Sequence, residues 1–449
     1  MDIAVIGLGK LGSPMAACFA AKGHKVIGVD LNEQFVADVN AKKAPVFEPG
    51  LQELIEKCDD RLTATTDLHD AVKQCEATFI IVPTPSKADG AFSLDYTKIA
   101  CQTIGAALKE NDRYHLVVLT STVMPGDTGV HIRKALEDAS GKTCGKDFGL
   151  CYSPEFISLG SVINDYLRPD FTLVGQSDEK AGKILEDFYG TICENDPPVA
   201  RMNFVNAELT KLSLNAYVTM KISYANTLAE ICEKLDGGNI DDVTNAIGLD
   251  SRIGRKYLKG ATGYAGPCFP RDCEAVAQLG RTLNVETRLP IATDQVNKLQ
   301  IPRMLNLIDQ ALPQGGTVGI LGLAYKPDTD VIERSQGVEL AEALLDRGTT
   351  VVAYDPAAME NAQEKTKGAL QLAASADDCL SQVDLLVITT PINEYKELSL
   401  KNIQGKTIVD CWRILDRSQL EPLCNYVGVG TDDVLRVQQD AENLSAKAA

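Results

Sequence analysis

The chain has 449 residues, 45% of them hydrophobic and 24% charged; this predicts an ordinary globular protein with two or three domains and ample core. A formal net charge of −18 excludes a general nucleic-acid or anionic-membrane binder, while leaving room for a small anion in a local basic pocket. Thirteen cysteines and four histidines are scattered without a CxxC pair, so no metal site and no disulfide framework is expected, and reduced thiols in a cytoplasm fit best. No signal-like segment and no apolar run of about 18 residues appears, so membrane insertion is not expected.

Asp2 to Ile6 reads as a strand. Gly7-Leu8-Gly9-Lys10-Leu11-Gly12 follows, then a helix over Ser13 to Lys22, a strand over His24 to Val29, and Asp30. This is a strand, a G-x-G-x-x-G turn, a helix, a strand and an acid within one unit of about thirty residues. Gly7 suits the tight turn, Gly9 admits a pyrophosphate, and Gly12 lets helix and strand pack. The helix start offers free N–H groups to phosphate. Asp30 can accept from ribose hydroxyls and would repel a 2′-phosphate, which favours NAD over NADP. Further strands are read at Ala77 to Val82, His115 to Thr120 and Phe148 to Tyr152. Their polar or proline-bearing loops place Thr84, Thr122 and Glu155 along one crevice at the carboxyl ends of a parallel sheet.

From Asn206 the pattern turns helical, with apolar residues at helical spacing from Ala207 to Leu235. A helix near thirty residues can link domains and carry a subunit interface. Lys211 and Asn215 share one of its faces. A basic and aromatic stretch, Arg252 to Lys259, is a candidate phosphate grip in an acidic protein. It leads into Gly263-Tyr264-Ala265-Gly266-Pro267-Cys268-Phe269-Pro270-Arg271-Asp272, a cysteine in a glycine- and proline-bound loop before a helix over Asp272 to Leu283. Gly263 and Gly266 allow close backbone approach to a ligand. A helix start and Arg271 both favour the reactive thiolate form of a cysteine.

Pro313 to Gly316 reads as a linker. Strands over Thr317 to Leu323, Thr349 to Tyr354, Leu385 to Thr389, Thr407 to Cys411 and Tyr426 to Val429, with a helix over Gly337 to Arg347, predict a second doubly wound domain. Gly319 and Gly322 do not complete a dinucleotide fingerprint there. The fold class expected is therefore α/β, with two doubly wound Rossmann-like domains joined by a long central helix and helical segment. The expected division is 1–205, 206–312 and 313–437, followed by a frayed polar tail at 438–449.

Taken together these motifs resemble the nucleotide-sugar 6-dehydrogenase family. Gly7 to Gly12 with Asp30, Pro45-x-x-Glu48-Pro49-Gly50, Val82-Pro83-Thr84-Pro85, Ser121-Thr122-Val123, Pro154-Glu155-Phe156, Lys211-x-x-x-Asn215, Arg252-Ile253-Gly254, the Cys268 loop with Asp272, and Gly322-Leu323-Ala324-Tyr325-Lys326 stand in family order. The resemblance implies NAD as cofactor, a UDP-sugar substrate and a homodimer in which Arg252 reaches the neighbouring subunit. It implies Cys268 as nucleophile, with Lys211, Asn215 and Asp272 stabilising oxyanions and positioning water, and Thr122 and Glu155 assisting proton transfer. It places Gly7, Gly9, Lys10, Leu11, Gly12, Asp30, Pro83, Thr84, Thr122 and Arg334 at the cofactor. Glu155, Phe156, Lys211, Asn215, Arg252, Tyr257, Lys259, Gly266, Lys326 and Arg413 fall to the substrate.

The implied reaction is a four-electron oxidation of a primary alcohol at C6 of UDP-glucose to an acid. A thiolate retains the intermediate aldehyde as a thiohemiacetal, and water hydrolyses the later thioester. UDP-N-acetylhexosamine and GDP-mannose are alternative substrates for the same chemistry. A two-electron β-hydroxyacid dehydrogenase shares the opening fold but neither the Cys268 loop nor the second α/β domain, and a non-catalytic nucleotide-sugar binder would not need Cys268, Lys211, Asn215 and Asp272. The sequence departs from the family pattern at Ala265 for a usual glycine, Pro267 before the cysteine, Leu159 for a second glutamate, and Glu333-Arg334 for the usual reverse order.

Overall fold

The computed structural model describes residues 1–448. Two compact units divide it between Leu214 and Asn215. The first is built on eight strands: β1 (Asp2–Ile6), β2 (Lys25–Val29), β3 (Leu62–Thr65), β4 (Ala77–Ile80), β5 (His115–Leu119), β6 (Phe148–Tyr152), β7 (Thr172–Gln176) and β8 (Val199–Met202). They lie in the order β3-β2-β1-β4-β5-β6-β7-β8. All neighbours are parallel except β6 and β7. The first six follow the doubly wound order, so the chain reverses direction of travel across the sheet between β1 and β4. Strands such as β5, His-Leu-Val-Val-Leu, are buried along their whole length. Continuous apolar runs of this kind suit a sheet covered on both faces, and separate cores line the two faces. The helix Gly12–Ala21 has nine of its ten residues buried, so small Ala, Gly and Ser side chains give it close approach to the sheet.

The second unit carries β9 (Val318–Leu321), β10 (Val351–Tyr354), β11 (Gln371–Leu372), β12 (Leu385–Ile388), β13 (Thr407–Asp410) and β14 (Asn425–Gly428). Their order is β11-β10-β9-β12-β13-β14, all parallel. The six-strand winding is thus repeated, with its switch point between β9 and β12, and again a core covers each face.

The long central helix runs Phe204–Cys232, about 43 Å at the usual helical rise. Glu208 near its start is fully buried and accepts from the N–H groups of Gly126 (2.6 Å) and Thr128 (2.8 Å). That carboxylate satisfies backbone donors after β5 and fixes the Thr122 loop within the first unit.

Four sequence expectations change. The helix after the cysteine begins at Phe269, three residues before Asp272, with Pro270 in its first turn; proline is tolerated there because first-turn N–H groups lack helical partners. The short strands β3, β7 and β8 and the helices Arg288–Lys298 and Gln300–Ala311 were not anticipated. Short strands and weakly patterned helices carry little periodic signal. From Gln438 the chain continues the helix Asp433–Ala448, whose first turn and a half buries Val434 and Val437 against the second core; Ala449 lies outside the described residues.

The acid ending the second strand of each sheet gives a test. Asp355 is 1% exposed and takes four backbone N–H groups, from Leu323, Ala324, Ala357 and Ala358, at 2.7 to 2.9 Å. Asp30 is half-buried and takes two, from Leu8 (2.6 Å) and Asn32 (2.8 Å). Asp355→Ala strands buried donors and is expected to cost about 3 kcal/mol or more in urea unfolding, and Asp30→Ala distinctly less; equal losses would contradict the difference in burial.

Candidate active site

The first unit holds the glycine turn at the carboxyl end of β1. Gly7 has φ +99°, and a Cβ there would meet the Ile81 carbonyl oxygen at 2.7 Å. A Cβ on Gly12 would lie 1.7 Å from the Gly7 oxygen. Nothing lies within 4 Å of a Cβ on Gly9, so its backbone faces open space, as a pyrophosphate needs. Lys10 and Leu11 are half-buried in the turn. Asp30 braces it through the Leu8 N–H and keeps lone pairs for ribose hydroxyls. The residues present fit NAD.

The loops after β4 and β5 are tied together. The Thr84 hydroxyl donates to the Thr122 carbonyl (2.7 Å), and the Ser121 hydroxyl to the Val82 carbonyl (2.7 Å). Pro83 is exposed beside buried Thr84, and Thr122 is half-buried. After β6, Lys211 donates its ammonium to the Glu155 carbonyl oxygen and sits 4.9 Å from the Phe156 ring centroid. Lys211 is 7% exposed. The structure thus brings Lys211, Glu155 and Phe156 together. Burial of the Glu155 carboxyl end pushes its pKa up to about 8, while Tyr166 and Lys211 pull partway back. The family-typical second glutamate is Leu159, which packs against the core. Glu48, buried, accepts from the N–H groups of Gly160 and Val162 (2.8 Å each) and so anchors the far end of the Glu155 loop.

The second unit holds the cysteine. Of the thirteen cysteines, all within the described residues, Cys268 alone is exposed. It is the N-cap of the helix Phe269–Leu283, where first-turn N–H groups point toward the cap. Asp272, one turn on, donates its backbone N–H to the Cys268 carbonyl (2.8 Å) and is 1% exposed. Its Oδ2 accepts from Asn215 Nδ2 (2.7 Å); its Oδ1 is buried without a hydrogen bond from the protein, 3.7 Å from Arg271 Nε. A buried carboxylate oxygen with unspent acceptor capacity is rare and marks a place for a polar reactant.

Backbone contacts hold the loop before the cysteine. Gly263 N–H donates to Gln336 Oε1 (3.2 Å), Tyr264 N–H to Asn297 Oδ1 (2.7 Å), and Gly266 N–H to the Glu333 carbonyl (3.0 Å). Gly266 has φ +84°, and a Cβ there would fall 2.6 Å from the Tyr325 ring. Ala265 is not among the positive-φ residues, so alanine replaces the usual glycine without strain. Arg334, displaced by the Glu333-Arg334 order, takes φ +55° and lies 3.4 Å from Glu339. Asn297 and Gln336 were not singled out from the sequence; they stand outside any short motif, on helices whose contacts with the loop are long-range.

The basic stretch is less uniform than predicted. Arg413 spends every guanidinium N–H: Nε and Nη2 on Asp241 (2.8 and 3.0 Å), Nη2 also on the Lys259 carbonyl (3.1 Å), and Nη1 on the carbonyls of Cys411 (3.0 Å) and Val429. Lys259 also meets Asp241 (2.8 Å). Arg252 is exposed and forks onto Asp250. Tyr257, at φ +64°, packs edge-on to Phe269, and Lys326 is half-buried beside Tyr325.

An open glycine turn on one doubly wound sheet, with an acid at the next strand end, defines a dinucleotide-binding protein. Family models agree: residues 1–193 match the NAD binding domain, 205–299 the central domain and 319–417 the UDP binding domain of the UDP-glucose/GDP-mannose dehydrogenase family. The chain belongs to that family and is an NAD-dependent nucleotide-sugar dehydrogenase. It is 39% identical over 425 residues to UDP-glucose 6-dehydrogenase AglM of Haloferax volcanii, covering 93% of this chain and 98% of that one. It is 32% identical to GDP-mannose 6-dehydrogenase of Pseudomonas putida, over 91% of this chain and 95% of that one. A UDP-glucose dehydrogenase structure from Pyrobaculum islandicum superposes with a TM-score of 0.88 at 34% identity, covering 96% and 97% of the two chains.

Glu155 generates a pH prediction. Its native carboxyl holds a proton more tightly than the unfolded chain, whose ordinary value is near 4.5. Stability contributed by the protonated form is complete below about 4.5 and drains away as pH rises toward about 8. Relative to Glu155→Gln, the wild type is expected to lose melting temperature steadily between those limits; parallel profiles would show that Glu155 is an ordinary surface acid. Gly266→Ala, which meets both positive φ and the Tyr325 ring, is expected to cost about 2 kcal/mol or more in thermal unfolding.

Proposed function

We propose that the chain oxidises the C6 hydroxymethyl of UDP-glucose to the carboxylate of UDP-glucuronate, with Cys268 as the covalent nucleophile. The observation that carries this is the pairing of the one exposed thiol with Asp272, a buried acid one turn away that keeps an unspent oxygen. Gly7, Gly9, Lys10, Leu11 and Gly12, with Asp30, Pro83, Thr84 and Thr122, would hold NAD⁺, and Arg334 is a further candidate ligand; two NAD⁺ in succession would each accept one hydride. The C6 aldehyde carbon takes the Cys268 thiolate, and its oxygen gains a proton to give a thiohemiacetal. After the second oxidation that carbon is a thioester. Water adds to it, Asp272 accepts the water's proton, and the C–S bond breaks to release the acid and the thiolate. The Lys211 ammonium and the Asn215 amide stabilise the oxyanions. Glu155, whose pKa burial raises to about 8, assists the proton transfers. UDP-glucose is favoured over GDP-mannose because the Haloferax volcanii relative is 39% identical and the Pseudomonas putida one 32%.

The nucleotide sugar is assigned to the second sheet, with Tyr257, Lys259, Gly266 and Lys326 as ligands and Phe156 flanking the sugar. The segments then divide as 1–205 for NAD, 206–312 for the cysteine loop and subunit contact, and 313–437 for the nucleotide sugar. Tyr217, Tyr224 and Ile231 recur at seven-residue spacing on the central helix and are half or more exposed. An apolar stripe of this length on a helix fits a second copy of the chain, with Arg252 reaching the neighbouring site. No helix among the described residues is long and apolar enough to cross a membrane, and thirteen free thiols suit a reducing cytoplasm.

The experiment is to count NADH per uronate across UDP- and GDP-sugars. Two per UDP-glucuronate is expected, and one with released aldehyde would overturn the double oxidation. Cys268→Ala is expected to abolish uronate formation while NAD still binds; Asp30→Ala is expected to weaken NAD binding. Tyr217→Asp with Tyr224→Asp is expected to yield monomers in sedimentation, and an unchanged dimer would move the interface elsewhere.

A further inference from the structure

The loop that carries Cys268 contains two glycines, Gly263 and Gly266, around Tyr264, whose side chain is 3% exposed. The course of its backbone is set by the bonds its peptide groups make as well as by that buried ring. Asn297, on the helix Arg288–Lys298, is 8% exposed and bonds both ends of its amide to one residue. Oδ1 accepts from Tyr264 N–H at 2.7 Å, and Nδ2 donates to the Tyr264 carbonyl at 3.0 Å. A two-point grip fixes the peptide planes on both sides of Tyr264, where a single bond would leave rotation about it. Gln336 closes the other side through Gly263 N–H (3.2 Å). The fit is tight: a Cβ on Gly263 would sit 2.6 Å from both Asn297 Oδ1 and Gln336 Oε1. Glycine at 263 is thus required by the two amides that flank it, rather than by its dihedral angles, which are ordinary.

We propose that Asn297 is a positioning residue for Cys268. It neither touches the substrate nor joins the chemistry, but locks the Tyr264 backbone and so sets where the thiol stands at the helix N-cap. The inference rests on the reading of Cys268 as the nucleophile. A nucleophile misplaced by about 1 Å loses rate without losing substrate affinity. A buried amide that makes two backbone bonds four residues from the thiol has that leverage. The sequence offers no motif for it, since Asn297 lies some thirty residues from the cysteine and meets the loop only in the folded unit.

The test uses full-length Asn297→Ala, with Asn297→Ser as the milder variant that decides the matter should the alanine form not fold. Three quantities are read: kcat and KM with UDP-glucose, the dissociation constant of UDP, and hydrogen exchange of the peptide spanning residues 261–268. The expected result is kcat down by about tenfold or more, KM and UDP affinity within about twofold, and exchange of that peptide faster by about tenfold. Wild-type kcat with unchanged exchange overturns the proposal. Raised KM or weakened UDP binding at unchanged kcat also overturns it, because Asn297 would then serve the substrate. A separate arm alkylates Cys268 in the wild type with iodoacetamide. Full modification with uronate formation intact would defeat the nucleophile reading; the exchange data on Asn297→Ala would then decide the loop clamp by themselves.

Discussion

Burying the Asp272 carboxylate constrains everything around it in the second unit. A buried acid normally spends all its acceptor capacity on neighbours, yet Asp272 gives one oxygen to Asn215 and withholds the other. The withheld oxygen is tolerable because Arg271 stands 3.7 Å away and the carboxylate occupies the first turn of a helix, where negative charge is favoured. The sequence Cys-Phe-Pro-Arg-Asp supplies these requirements in five residues: a cap, a proline that fits the first turn, a cation, and an acid whose N–H closes on the cap carbonyl.

The two sheets share a winding order and differ in how they use the acid at the end of the second strand. Asp30 keeps part of its surface and two backbone bonds, so it can still meet a ribose. Asp355 is saturated by four N–H groups and sealed from solvent. One residue type at one topological position keeps free acceptor capacity in the first case and is a rivet in the second. The same winding therefore serves a dinucleotide in one unit and leaves the other free for different chemistry.

Much of this was legible in the residues. The Gly7–Gly12 turn with Asp30, the continuous apolar strands and the long central helix follow from periodicity and turn chemistry, and their boundaries in the structure agree within a few residues. Lys211 and Asn215 were legible as sharing one face of the central helix; that they meet the Glu155 carbonyl and Asp272 was not. What could not be read was contact across sequence distance. Asn297 on Tyr264, Glu48 on Gly160 and Val162, and Asp241 on Arg413 each join residues dozens to more than a hundred positions apart, with no local pattern to announce them. The helix that runs into the tail was hidden for the same reason: Val434 and Val437 at its start are too few for a periodic signal, yet they pack on the second core.

Arg413 shows what such saturation means for a binding surface. With all five donors committed to Asp241 and to the carbonyls of Lys259, Cys411 and Val429, it has no hand free to greet an arriving phosphate. It works as a fixed spacer that holds the end of β13, the turn after β14 and the Lys259 segment at set separations. Lysine, with a single point of charge and three donors, could not span those anchors. What Arg413 contributes at this end of the second sheet is shape, set by the separations it holds, rather than a mobile charge.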